Sequence, residues 1–431
     1  MQLINKKKPN LKALLTTATC ALLGGTAQAA TANAEETWNF DTAFMHYAET
    51  DRVTATELII AGKKTFANDK ILSLKLTFDT LSGASANGAV AQPTPQTFTR
   101  PSGNGQYTIE GGNTPLDDTF QDTRVQFTGQ WTQPLWKDYT VSVGGNLSKE
   151  YDYTSASING NIAKDFNNKN TTFSIGTAYA FDSIEPEGGL PKPFSAMLIG
   201  DSNSPSFESE FNETRIGQDE TKSTFDVLFG LTQVINRNMI VQLNYSFSTA
   251  SGYLTDPFKV ISSVNSNGEA QEYLHEHRPD ERTKHSFFGQ TKYHLDSGVL
   301  DASYRYMTDD WEIESHTFDL RYLVPFSNGH YIEPHVRMYT QTAAEFYQPF
   351  IKEDDSLPSF ASADYRIGEL DSYTVGLKYG MPIGNGNELS FRLEYYHQAP
   401  KSNGTEAFGV LNDVELYEPI NAIVAQVTYS F

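Results

Sequence analysis

The chain has 431 residues, one cysteine, a formal net charge of −21 and a mean hydropathy of −0.45. The acidic balance disfavours nucleic acid and other polyanions as partners, and a lone cysteine supports no disulfide framework. Beyond the first thirty residues no run approaches the length of about twenty apolar residues that a helical membrane span needs, so any crossing must be made by strands.

The chain opens with Lys6, Lys7, Lys8 and Lys12, an apolar stretch from Ala13 to Leu23, and Ala27-Gln28-Ala29. This pattern predicts a secretory signal over residues 1–29, cut after Ala29, with the mature protein starting at Ala30. Cys20 follows Thr17-Ala18-Thr19 rather than a leucine-led lipoprotein box, so it belongs to the discarded segment. Cleavage leaves 402 residues without cysteine and removes four lysines, moving the charge from −21 to −25.

From there, period-two alternation recurs roughly sixteen times. Leu72, Leu74, Leu76 and Phe78 alternate with Ser73, Lys75, Thr77 and Asp79. Val125, Phe127 and Trp131 form a second such face; Phe173 to Phe181, Phe225 to Leu231 and Met239 to Phe247 follow. Later faces run through Phe318 to Val324, Tyr373 to Tyr379 and Leu389 to Tyr395. The last run places Ile423, Ala425, Val427, Tyr429 and Phe431 on one side. An alternating final strand with a terminal aromatic suits the closing strand of an outer-membrane barrel, which makes Phe431 the expected assembly signal for barrel assembly machinery. The polar average is no obstacle, because only every second strand residue faces lipid. The fold class is therefore all-β: a transmembrane antiparallel β-barrel of about sixteen strands, occupying 30–431.

Connections alternate in length. Short ones lie at Gln133 to Asp138, Asp165 to Asn170, Asn236 to Asn238, Asp296 to Ser297, Ser327 to Gly329 and Gly384 to Asn387. Their Asn, Asp, Gly and Pro suit tight turns. Long ones run near Thr80 to Asp118, Asp182 to Asp219, Ala250 to Arg282, Tyr347 to Leu370 and Ala399 to Leu416. With the C-terminus periplasmic, every long connection falls outside, in contact with lipopolysaccharide and solvent. The first, carrying Gln92-Pro93-Thr94-Pro95, is expected to be mobile. The second carries nine carboxylates between Asp182 and Glu220 against Lys192 and Arg215. Such a loop attracts divalent cations, although a solvated surface with no dedicated ligand is the simpler reading.

His275, Glu276 and His277 are weak candidates for a metal site, since an i, i+2 pair shares a face in extended chain but no fourth ligand is fixed. No nucleophile elbow, H-E-x-x-H or phosphate-cradling loop is present. We expect no enzymatic activity and no cofactor. The inward faces are more telling: alternation turns Lys292, Asp301, Arg305, Asp319, Arg321 and Arg337 into the lumen. Pairing about the intervening turns sets Lys292 opposite Asp301, Asp301 near Asp319 and Asp319 opposite Arg337. This row either braces a polar interior or lines a solute path.

Several runs resemble the domain of unknown function 3570 family of Gram-negative outer-membrane barrels. They are Glu49-Thr50-Asp51-Arg52-Val53, Gly144 to Tyr153 (GGNLSKEYDY), Arg278 to Leu295 (RPDERTKHSFFGQTKYHL), Ser303-Tyr304-Arg305-Tyr306-Met307 and Ala361 to Gly380 (ASADYRIGELDSYTVGLKYG). The resemblance implies fold and location without an activity, and hints at envelope redox partners. General porins are the nearest functional model, yet their long, infolded third external loop is replaced by the short Lys149 to Thr154 connection. The expected role is a porin-like channel for small solutes or ions with an acidic, cation-favouring mouth. The alternatives are a closed barrel acting as scaffold or binding module of an envelope complex and, less favoured, a barrel-embedded enzyme.

Overall fold

The computed structural model describes residues 37–431, so the expected signal and cleavage point lie outside the described residues. Sixteen strands form one closed antiparallel barrel. They are β1 (Thr37–Glu49), β2 (Val53–Thr65), β3 (Ile71–Ala86), β4 (Leu116–Pro134), β5 (Tyr139–Lys149), β6 (Tyr153–Phe166), β7 (Thr171–Ile184) and β8 (Glu220–Val234). There follow β9 (Met239–Gly252), β10 (Glu281–Leu295), β11 (Gly298–Asp309), β12 (Glu314–Pro325), β13 (Tyr331–Gln341), β14 (Leu370–Gly384), β15 (Asn387–Pro400) and β16 (Ile420–Ser430). Each strand pairs with its neighbours in sequence, and β16 closes on β1 from Asp41↔Ser430 to Glu49↔Ala422. Closure leaves no unpaired edge in lipid, where an unsatisfied backbone group is costly.

The two faces separate as the alternation predicts. Outward stand Phe78, Phe127, Val143, Ile158, Leu243, Phe287, Phe318, Val375 and Leu393, all exposed. This apolar belt would be unfavourable in water and matches a hydrocarbon surround. Toward the short-turn end the belt turns aromatic. Trp38 stacks on Phe40 with centroids 5.4 Å apart, Phe66 meets Trp131 at 5.4 Å, and Trp136 meets Tyr139 edge-on at 5.7 Å. Phe431 joins this girdle, with its ring 5.5 Å from Phe40 and its N–H donating to the Phe40 carbonyl over 2.9 Å. The last residue is thereby fastened to the first strand.

The short turns, 66–70, 135–138, 167–170, 235–238, 296–297, 326–330 and 385–386, lie at one end. Their residues take the expected left-handed conformations, as at Asn68, Asn168 and Asn385. The other end carries three short connections, at 50–52, 150–152 and 310–313, and five long ones at 87–115, 185–219, 253–280, 342–369 and 401–419.

Those five long connections fold together into a cap with its own core. Its axis is a strand Val260–Val264, which pairs antiparallel with Ala270–His275 and parallel with Phe350–Lys352. Val260, Ile261, Ser262 and Val264 are all fully buried. Around this axis, Val260 packs with Phe98 and Tyr107 of the first long connection and Met197 of the second. Val264 packs with Val90, Phe350 and Leu411, and Ile261 with Phe194, Ile351 and Ala361. The connection at 87–115, expected to be mobile, instead holds a hairpin of Gln96–Thr99 and Gln106–Ile109 whose Phe98 has no exposed surface. Its glycines serve close packing: at Gly88, with φ of +97°, a Cβ would run into the Val260 carbonyl.

Candidate functional site

Two features could carry function: the charged lumen wall and the cap above it. The wall is built by β10 to β15, whose inward positions hold the charges that alternation assigns. Lys292 faces Asp301 as expected, with Nζ to Oδ2 at 3.2 Å, and Gln290 donates to the other Asp301 oxygen over 2.6 Å. Asp301 stands opposite Arg321, with Asp319, which faces Ser303, as its diagonal neighbour on the same inward face. The exact register is set by the β11–β12 turn, 310–313, which is longer than the Asp309-Asp310 pair suggested. The Asp309 carboxylate accepts from the N–H groups of Trp311 and Ile313, and both of those side chains bury in the cap, drawing the turn outward.

Asp319 does face Arg337 across the β12–β13 ladder. Its carboxylate, however, is held by Arg321 Nε at 3.3 Å and by His335 Nε2 at 2.9 Å. His335, which the sequence reading missed, is buried and meets Glu394 through Nδ1 at 2.8 Å. An imidazole flanked by two carboxylates donates to both only when each ring nitrogen carries a proton. Glu394 also faces Arg392 at 3.4 Å, and Arg392 lies 3.8 Å from Glu333. The intervening β14 contributes Gly376 here, and a Cβ at that position would lie 2.5 Å from Glu394 Cγ. That inward glycine, with His335 two residues before Arg337, was the available signal. Arg305 lies 5.5 Å from the centre of the Phe288 ring. Across the lumen, β4 to β9 present mostly neutral groups, such as Thr132 bonded to Ser142 over 2.8 Å and Gln126 bonded to Asn146 over 2.8 Å.

In the cap, the candidate metal tract is pulled apart. His277 lies edge-on to Phe194 and against Phe360, with Nδ1 2.8 Å from the Ser359 carbonyl. His275 is turned to Arg215, 3.3 Å from Nη1 to Nε2. Glu276 belongs to a buried ion cluster. Arg278 reaches Glu276 at 2.5 Å and Asp364 at 2.8 Å, and Arg366 reaches Asp364 at 2.6 Å and Asp256 at 2.5 Å. Ser362 donates to the second Glu276 oxygen, and Lys259 donates to the Ala86 carbonyl. The cluster links the connection 253–280 to 342–369 and, through Lys259, to the top of β3.

Burial pushes the Glu276 carboxyl up to about 7, against the attraction of Arg278. Burial also opposes ionisation of Asp364 and Asp256, but Arg366 and Lys259 outweigh it and hold both below the usual carboxylate range. Of the acidic loop, Asp182 is a strand residue, buried in the wall and paired with Lys222 at 3.2 Å. Among the described residues no group of three or more His, Cys, Asp or Glu side chains is arranged to hold a metal ion.

A closed antiparallel barrel with an apolar belt, an aromatic girdle, short turns at one end and long loops at the other is a transmembrane β-barrel of the outer-membrane type. Its inward charges and amides make a polar interior. The chain belongs to the family described as "Protein of unknown function (DUF3570)", whose model matches residues 12–431. Curated proteins give no match. Among solved structures, CdiB from Acinetobacter baumannii is similar with a TM-score of 0.45 at 9% identity, over 93% of this chain and 61% of that one. The chain thus spans less than two thirds of CdiB. A bacterial polysaccharide outer membrane secretin is similar with a TM-score of 0.43 at 9% identity, over 93% of this chain and 100% of that one. OprB from Pseudomonas putida gives 0.42 at 10%, over 92% and 94% respectively.

Proposed function

We propose that this protein is an outer-membrane channel for small solutes or ions whose outer mouth is gated by the folded cap, exported with a leader that is cut after Ala29. The observation that carries the reading is the conjunction of a charged, hydroxyl- and amide-lined interior with a cap whose core is contributed by all five long connections. Sixteen strands enclose more space than side chains alone fill, and a polar lining is stable where water reaches it. A cap assembled on the fully buried Val260–Val264 strand stands where solute would enter. The acidic mouth expected to favour cations is therefore engaged in part: Asp256, Glu276 and Asp364 face inward onto Arg278, Arg366 and Lys259 rather than outward to solvent.

Planar-bilayer recording of the purified protein tests the reading. The intact protein should conduct little or in brief openings, and a variant that melts the cap, such as Ile261→Asp, should conduct steadily. Silence from both would favour the closed scaffold instead.

A further inference from the structure

We propose that the cap holds a binding site for a small anion of halide size, in the cavity lined by Arg100, Arg215 and His275. The three residues come from three different long connections, 87–115, 185–219 and 253–280, so the site lies at a junction of the cap. Its case is one of unanswered donors. Arg215 sits in the most acidic connection of the chain, yet among the described residues it makes no ion pair. Its guanidinium lies 4.1 Å from the centre of the Phe211 ring, and its only polar contact among the described residues is His275 Nε2 at 3.3 Å. A guanidinium donates and never accepts, so His275 Nε2 must be the acceptor and the ring proton must sit on Nδ1. That Nδ1 is buried with no partner, and so are Arg215 Nε and Arg100 Nη1. The Tyr253 hydroxyl, buried beside Arg215, has no partner either.

Burial agrees with this assignment. His275 is 6% exposed. Removal from water pulls its ring down to about 3 and pulls Arg215 down to about 10, with no carboxylate opposing either change. Arg100 has carboxylate neighbours, Asp118 at 3.5 Å and Asp117 at 3.8 Å, both beyond good hydrogen-bond geometry for its Nη1. Asp117 also lines the cavity, so Arg100 already faces two carboxylates and the unanswered positive charge is that of Arg215.

The cavity volume of about 20 Å³ sets the size of the occupant. By this measure one water needs roughly 10–15 Å³, so a halide fits while sulfate and phosphate do not. A water can offer its lone pairs to two of these donors and a proton to Asp117, whereas an anion also offsets the Arg215 charge, and a dependence on bromide separates the two guests. Arg215 is half-buried with no carboxylate partner, and an anion would offset the penalty of that arrangement.

The test uses the full-length barrel in detergent at fixed ionic strength, with sodium bromide replacing sodium gluconate, whose anion is too large to enter. Cap unfolding is followed by protease nicking of the loops during a thermal ramp. Bromide should raise the cap's transition saturably by on the order of a few degrees. Arg215→Gln should abolish that response while being at least as stable as the native protein in gluconate, since it removes the unpaired charge. Should Arg215→Gln not fold, anomalous scattering from bromide-soaked crystals of the native protein decides the matter: a peak in the cavity is expected. A native cap indifferent to bromide, an equal response in Arg215→Gln, or water in the cavity of soaked crystals would overturn the site. None of these readouts depends on conductance, so the site can fail or stand apart from the channel reading.

Discussion

The barrel wall and the cap are built from the same chain by opposite rules. In the wall the partners are barrel strands consecutive in sequence, sides alternate every second residue, and pairing passes from β1 to β16 and back with only local register shifts at Gly83/Ser85 and Pro382/Gly384. In the cap the contacts are distant: Val90 donates its N–H to Ser262 Oγ across 172 positions, and Arg278 holds Asp364 across 86. The wall needs lipid outside and tolerates water within. The cap needs a dry core of its own, with Arg278, Glu276 and Asp364 paired out of water and only Arg366 reaching the surface. The lesson is that the loops here are a second structural unit, and that the two units should fail separately.

The sharpest way to separate them is Ile261→Asp, which places a carboxylate in the fully buried heart of the cap. The expected loss is several kcal/mol of cap stability, read as rapid proteolysis of the long connections. Heat-modifiable migration in detergent gels should persist, because the barrel's backbone groups remain internally satisfied. Loss of heat modifiability in this variant would mean that cap and wall form one cooperative unit.

Next in size is Arg278→Ala, which strands Glu276 and Asp364 without their shared partner. Breaking a buried ion pair in this way costs about 3–5 kcal/mol. The replacement should loosen the cap as measured by hydrogen exchange of 253–280 and 342–369, and leave the strands protected. Unchanged exchange in both connections would show that the apolar clusters alone hold the cap.

A gentler lever is pH. The Glu276 carboxyl is raised to about 7 in the folded protein from an ordinary 4.5, so the folded cap binds this proton more tightly than the unfolded one. Its contribution is fully present below about 4.5 and is lost as pH rises through about 7. Asp364 and Asp256 are shifted the other way, so their contributions are present above the ordinary carboxylate range and vanish in strong acid. The groups facing Glu276 are Asp256, Arg278, Ser362 and Asp364. The cap should be tightest in mildly acidic solution and should loosen as pH passes 7, with protease nicking rising accordingly. Nicking that is flat from pH 5 to 8, or that falls, would remove Glu276 from this role.

The smallest effect is expected in the wall itself. Asp319→Ala takes away a partner of His335 and Arg321, but a wet lumen screens such a loss to within about 1 kcal/mol. A cost of several kcal/mol, measured by denaturant unfolding of the barrel, would mean that the interior beneath the cap is dry and would count against a solute path.

How much of this was legible beforehand differs between the two units. Leu72 to Phe78 and Met239 to Phe247 announced strands, and Asn385-Gly386 announced a turn, because pleat and φ are local properties. Lys292 opposite Asp301 followed from a two-residue turn. Asp301 opposite Arg321 did not, because the turn that sets that register is shaped by Trp311 and Ile313 binding into the cap. Alternation with Arg337 places His335 inward, but its meeting with Glu394 two strands away depends on the gap left by Gly376 on the strand between, which only the register reveals. Val260-Ile261-Ser262-Ser263-Val264 is a short apolar run that one-dimensional reading leaves inside a loop.

The sequence by itself determined the fold class, an approximate number of crossings and which side of each strand meets lipid, because alternation with a period of two is imposed by the backbone and sorted by the membrane. Only the tertiary structure decided that the long connections converge, that Glu276 pairs with Arg278 and Ser362 instead of sharing a ligand set with His275 and His277, and that Arg215 is half-buried without a carboxylate. Those outcomes depend on segments far apart in the chain meeting in one core, where shape and desolvation choose the partners and no repeating pattern records the choice.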